Sequence, residues 1–206
     1  MSVDRNNYQH NGTGVRTRSD IPAIFRPREL DRLGLGKGQL RGMLARGEVE
    51  RIGRGLYRRP SDITELDTVA TVSARLPGAI VCLLSALLIH RIGTQAPPDV
   101  WIAIDNKARK PRVDELPVHI VRFSGRMLCH GIEEREVQGV RVRITSPART
   151  VVDCFRYRNK IGMDVALEAL KDALQQQRAT VDAIVRAAEV CRAGTVISPY
   201  IDAMLA

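Results

Sequence analysis

The stretch Lys37-Gly-Gln-Leu-Arg-Gly-Met-Leu-Ala-Arg-Gly-Glu-Val-Glu-Arg-Ile-Gly-Arg-Gly-Leu-Tyr57 decides the fold of the first third of the chain. Leu40, Met43 and Leu44 stand at i, i+3 and i+4, the spacing of one apolar helix face, and predict a helix over 37–46. Gly47 follows at the position where a left-handed residue closes a helix. Beyond it the pattern predicts two short strands, 49–52 and 56–58, joined by Gly53-Arg54-Gly55. The glycines permit a tight turn with Arg54 at its tip. On the N-terminal side, Pro27 suits the first turn of an earlier helix, whose apolar side is Leu30 and Leu33. Gly34-Leu35-Gly36 ends that helix. Helix, turn, helix and hairpin within 21–60 is the order of a small winged helix-turn-helix.

Outward from this unit, residues 1–20 are polar and nearly free of apolar side chains, and read as a flexible tail. Arg16 and Arg18 are candidates for an arm entering a minor groove. Pro60-Ser61-Asp62 reads as a boundary, and 61–206 as a second, mixed α/β domain. Helices are expected over 64–76 and 83–91, then strands at 100–104, 118–123, 132–137 and 140–144, with Gln138-Gly139 as a tight turn. Ser146-Pro147 is an N-cap followed by proline at the first helical position, so a helix starts there. Further helices are expected over 163–177 and from the N-cap Thr180 to about Cys191, before a short C-terminal segment. The fold class is therefore α+β: a winged helix-turn-helix ahead of a domain with a small sheet and C-terminal helices.

Charge sharpens the picture. The net charge is +9, and residues 1–60 hold 13 Lys+Arg against 6 Asp+Glu. A basic module joined to a nearly neutral one is the footprint of a nucleic-acid reader with an assembly or effector domain. The four cysteines, Cys82, Cys129, Cys154 and Cys191, are far apart and form no metal-ligand spacing, so no metal is expected. No signal peptide is seen, which makes a reduced cytoplasm the expected location. The most apolar run, 79–89, is about half the length that spans a bilayer, and no membrane association is expected.

The candidate DNA-contacting residues follow from the helix over 37–46. With Leu40, Met43 and Leu44 inward, Gly38, Gly42 and Ala45 face outward and allow close backbone approach. Arg41 flanks them on one side, Gln39 and Arg46 on the other, and Lys37 lies at the helix start. Arg reads guanine and Gln reads adenine in the major groove. Arg51, Arg54 and Arg58 arm the wing, where contacts to phosphate or the minor groove are expected. Tyr57 reads as core, and the absence of interleaved aromatics argues against single-strand binding.

These residues resemble a known family. Phe25-Arg-Pro-Arg-Glu-Leu30 and Leu44-Ala-Arg-Gly-Glu-Val-Glu-Arg-Ile-Gly-Arg-Gly-Leu-Tyr57 are similar to the N-terminal domain of AbiEi-type antitoxins of type IV toxin–antitoxin (abortive infection) systems. Leu84-Ser85-Ala86 and Ser146-Pro147-Ala148-Arg149-Thr150-Val151-Val152-Asp153 are similar to that family's C-terminal domain, so the resemblance runs over about 21–160. It implies a transcriptional autorepressor that binds an inverted-repeat operator in double-stranded DNA. It also implies a functional partner, a nucleotidyltransferase-like toxin, with direct contact not required. A single winged domain reads a short site, so a dimer on the DNA is expected.

Arg149 and Asp153, four residues apart on one helix, read as a structural pair fixing that helix against the sheet. Catalytic machinery is not expected. Ser85 and His90 fall on different faces of their helix and no nucleophile elbow surrounds the serine. No phosphate-binding glycine loop is present, and no cofactor is expected. Two other classes stand beside the repressor: a DNA-processing, nuclease-like enzyme targeted by the winged domain, and an architectural nucleic-acid-binding protein.

Overall fold

Ile24 and Phe25 open a small antiparallel sheet, in a computed structural model that describes residues 21–32, 34–60, 65–113 and 116–205. Strand β1 (Ile24–Phe25) pairs with β3 (Leu56–Arg58), which pairs in turn with β2 (Glu50–Gly53), giving the order β1-β3-β2. Between β1 and β2 run helices α1 (Pro27–Arg32) and α2 (Lys37–Ala45). The two-residue β1 has too little pattern to show in the sequence. Its partner fixes it: Ile24 stands opposite Arg58 and Phe25 opposite Tyr57. Phe25, Leu30, Leu40, Met43 and Val49 form a buried cluster here, with Tyr57 stacked on Phe25 at 5.9 Å between ring centroids. Leu44 departs from expectation. It is exposed, because α2 is nine residues long and Leu44 lies in its last turn, beyond the apolar cluster.

Helix α3 (Glu65–Arg75) leads into a five-stranded sheet of order β6-β5-β4-β8-β7. The strands are β4 (Ile80–Val81), β5 (Val100–Asp105), β6 (Val118–Phe123), β7 (Ile132–Val137) and β8 (Val140–Thr145). Strands β4 and β5 are antiparallel, β4 and β8 parallel, β5 and β6 parallel, and β7 and β8 antiparallel. Strand β4 was hidden in the apolar run that otherwise forms α4 (Leu83–His90). The parallel neighbours β5 and β6 require a crossover of about a dozen residues, supplied by 106–117.

Side chains alternate across this sheet, as the period of two requires. Ile80, Trp101, Ala103, Val121 and Phe123 face a layer built from α4, α5 (Pro147–Arg156), α7 (Met163–Gln175), α8 (Val181–Cys191) and α9 (Gly194–Leu205). A one-turn helix, α6 (Arg158–Ile161), links α5 to α7. Val81, Val100, Ile102, Val142 and Ile144 face the other way, onto Val69, Ala70 and Val72 of α3 and onto Ile24 and Leu56 of the small sheet. The expected α+β class, with sheets and C-terminal helices, is what the chain forms. The C-terminal segment is longer than expected: α9 runs twelve residues and carries Pro199 within it.

The local signals have visible causes. Ser146 Oγ accepts the Arg149 amide at 3.4 Å, and Thr180 Oγ accepts that of Ala183 at 3.2 Å, so both N-caps read from the sequence hold. Gln138 and Gly139 both adopt positive φ in the β7–β8 turn. Arg149 and Asp153 are fully buried, with Arg149 Nε 3.0 Å from both carboxylate oxygens. Arg149 also donates to the carbonyls of His130 (2.7 Å) and Met127 (3.3 Å), and its guanidinium lies 4.9 Å over the Phe123 ring. The pair therefore fixes α5 to the segment between β6 and β7, the structural role read for it. Burial pushes the Asp153 carboxyl up to about 6, against the downward pull of Arg149.

The tail with Arg16 and Arg18, Leu33, residues 61–64 at the expected boundary, and Asp114-Glu115 lie outside the described residues.

Candidate nucleic-acid interface

Helix α2 and the β2–β3 hairpin carry all seven sequence-selected residues. Gly36 opens α2 in an extended conformation, and Gln39 Oε1 accepts its amide at 2.7 Å. Gln39 thus completes the first turn of the helix, one of four amides such an end leaves without helical partners. Lys37 and Arg41 are exposed, and among the described residues neither side chain has a hydrogen bond or ion pair. Among the described residues, no side chain neutralises their charge.

Arg46 behaves differently. It caps the helix, folds back so that its Nη1 would lie 3.0 Å from a Cβ on Gly42, and pairs with Glu48 at 2.7 and 3.2 Å. Two of the outward small residues, Gly38 and Ala45, remain exposed, whereas Gly42 is covered by this guanidinium. The glycine at 42 thus makes room for a neighbouring side chain of its own helix.

In the hairpin, Arg58 donates to Glu50 Oε1 at 2.7 Å, across the Glu50–Arg58 register pair. Arg51 Nε donates to the Gly53 carbonyl at 3.1 Å, a neutral acceptor that leaves its charge in place. Arg54 sits in the two-residue turn between β2 and β3, exposed and with no partner among the described residues. Gly55 takes φ +64° there, as the turn requires. Of the seven, then, Lys37, Arg41, Arg51 and Arg54 present unneutralised charge, while Arg46 and Arg58 are spent on Glu48 and Glu50.

Two further arginines, unmarked by any local pattern, hold this unit in place. Arg26 donates to the Ala74 carbonyl at 2.7 Å, and Arg75 donates to the Ile52 carbonyl. A Cβ on Gly53 would come within 3.0 Å of Arg75 Nε, so the glycine read as a turn residue also admits this guanidinium. Long-range bonds of this kind leave no local periodicity to read.

Ser85, His90 and His119 are occupied structurally. Ser85 Oγ accepts the Trp101 amide at 2.9 Å, and His90 Nε2 meets the Thr145 carbonyl at 2.6 Å. Burial lowers the pKa of His90, so the ring is neutral and donates to that carbonyl. His119 stacks on Trp101 at 3.8 Å. Among the described residues no group of three His, Cys, Asp or Glu side chains is placed to hold a metal ion. No helix there is long and apolar enough to cross a membrane.

Residues 21–60 thus form a unit of two short helices and a basic hairpin, seated against a mixed five-stranded sheet. Residues 18–60 match the family described as "Transcriptional regulator, AbiEi antitoxin", so the AbiEi-type resemblance read from the sequence holds over this segment. The fold is similar to that of the RV2827C protein from Mycobacterium tuberculosis, with a TM-score of 0.55 at 14% identity, covering 84% of this chain and 68% of that one. At that identity the likeness concerns the fold alone. No curated protein matches the chain.

Proposed function

We propose that this chain is a sequence-specific DNA-binding autorepressor that acts as the antitoxin of a type IV system. In this reading residues 21–60 form a winged helix-turn-helix domain, and 61–206 an assembly and antitoxin domain without catalytic activity. Helix α2 lies in the major groove, where Lys37 and Arg41 face base edges or phosphates. Gln39 and Arg46 shape the two ends of the helix, and the hairpin lays Arg51 and Arg54 on the backbone. The observation that carries the reading is the set of exposed, unneutralised cations, Lys37, Arg41, Arg51 and Arg54, on one helix and the adjoining hairpin. The match of residues 18–60 to a transcriptional-regulator family supports it. Two copies bind an inverted repeat in the cytoplasm, and the nucleotidyltransferase-like toxin is countered without obligatory contact.

A mobility-shift titration at near-physiological salt tests this, comparing the chain's own upstream DNA with shuffled DNA of equal length. A specific reader holds a preference of roughly 10³ or more for its site. Arg41→Ala is expected to weaken the specific complex by about 1–3 kcal/mol, the worth of one bidentate base contact. Equal binding of both DNAs by the wild-type protein would remove the repressor reading.

A further inference from the structure

A cleft of about 400 Å³ lies between the hairpin, the end of α3 and the β5–β6 crossover, and four arginines line it: Arg26, Arg54, Arg75 and Arg112. No carboxylate is among its lining residues within the described part of the chain. Arg26 and Arg75 are the two that hold the hairpin to its surroundings, through the Ala74 and Ile52 carbonyls. The acceptor of Arg26 is a neutral carbonyl, so that bond leaves its guanidinium's charge in place. Arg54 reaches the cleft from the hairpin tip. Arg112 reaches it from a different part of the chain, the crossover of the large sheet.

That crossover reads Lys107-Ala-Arg-Lys-Pro-Arg112, four cations in six residues. All four are exposed, and none has a side-chain hydrogen bond or ion pair among the described residues. The start of the loop is built. Arg122 Nη1 lies 3.0, 3.0 and 2.9 Å from the carbonyls of Asp105, Asn106 and Ala108, and Asp105 Oδ1 accepts the Lys107 amide at 2.8 Å. One arginine is thus spent on the backbone of a turn whose own side chains are basic and free. Like charges crowded on a held loop, with Arg26 and Arg54 lining the cleft beside Arg112, are costly unless a polyanion meets them.

We propose that the Lys107–Arg112 loop and the arginine cleft form a second DNA contact, which grips the phosphate backbone of the duplex beyond the site engaged by α2 and the hairpin tip. This rests on the DNA-binding reading above and extends it onto the large sheet. The contact is to phosphate, so it adds affinity and salt dependence without sequence preference. Arg54 belongs to both surfaces and makes them continuous.

The test uses the full chain and two duplexes of about 40 base pairs, one from its own upstream DNA and one shuffled, long enough to extend past a single half-site on each side. Affinity is measured by fluorescence anisotropy across a salt series, for wild type and for Lys107→Gln/Arg109→Gln/Lys110→Gln/Arg112→Gln. Each lost phosphate contact lowers the slope of log affinity against log salt by about 0.9. The four-fold variant is expected to lose roughly 2 to 4 in slope on both duplexes, with its preference between them unchanged. Arg112→Gln alone is expected to lose about 1. Superimposable thermal melts establish that these surface changes leave the fold intact. Wild-type affinity and slope in the four-fold variant, on both duplexes, overturns this proposal while leaving the repressor reading standing. A changed preference overturns it as well, since the loop would then be reading bases. A wild-type protein without preference, whose slope still falls in the variant, removes the repressor reading and keeps the second contact.

Discussion

Replacing Arg149 by leucine removes the cation from a site in which every other polar group is placed around it. Both Asp153 oxygens, 3.0 Å from Arg149 Nε, lose their counter-charge, and the carbonyls of His130 and Met127 lose a donor. Breaking a fully buried pair by deleting one partner costs about 3–5 kcal/mol. Each carbonyl left dry adds roughly 1–3 kcal/mol if water cannot reach it. Against a total stability of about 5–15 kcal/mol, the loss is a large fraction. Urea unfolding at pH 7.5, followed by far-UV circular dichroism, reads it directly. The sign with pH follows from the carboxyl. Burial already raises Asp153 to about 6, and Arg149 is the main influence pulling it back. Without Arg149 the folded value rises further above the unfolded one. A raised acid contributes stability that is complete below its unfolded pKa and is lost as pH climbs through the folded pKa. The wild-type contribution therefore levels off soon above pH 6. The variant keeps losing up to about 1.4 kcal/mol per pH unit between pH 6 and 8. A loss below about 1 kcal/mol, or a gap between variant and wild type that is constant over that range, would show that Arg149 does not hold the buried Asp153 charge in place.

Three other perturbations probe neighbouring parts of the argument. Gly131→Ala puts a side chain at φ +61°, with its Cβ 2.9 Å from that of Arg149; the backbone alone costs about 1–2 kcal/mol, and thermal melting should show it. Leu56→Ala, at a position 3% exposed in the cluster shared by the small and large sheets, should cost about 2–5 kcal/mol in a single cooperative urea transition; two separate transitions would contradict a shared core. Burial pushes the Cys82 and Cys154 thiols far up and that of Cys191 up to about 11, whereas Cys129 is exposed; a thiol-reactive dye at pH 8 should therefore label Cys129 alone in the folded protein and all four cysteines in urea.

Much of the local architecture was legible because it is written locally. The Ser146 and Thr180 caps, the turn at Gln138-Gly139 and the helix face of Leu40 and Met43 each depend on residues a few positions apart. Strands β1 and β4, two residues each, have no period to detect and exist because partners distant in sequence complete them. The same distinction runs through the candidate interface. Residue type and spacing marked all seven positions, but could not separate Lys37, Arg41 and Arg54 from Arg46 and Arg58. That division depends on where Glu48 and Glu50 fall once the hairpin closes. The charged crossover carries no local signal for the same reason: Arg112 lines one cleft with Arg54, fifty-eight residues earlier in the chain.

Ile24 and Leu56 pack in the same cluster as Val69 and Val142, and the Gly139 turn abuts Pro22, so the proposed reading head is seated on the large sheet. In a two-copy complex on an inverted repeat, the separation of the half-sites then becomes a property of the protein interior. A head on a loose linker tolerates half-sites at many spacings. A head seated in its own scaffold tolerates one helical phase, so inserting about five base pairs, half a turn of the duplex, would carry one half-site to the far side of the DNA, out of reach. In the complex proposed above, the operator's dimensions would in that sense be set by a few buried aliphatic side chains outside the interface.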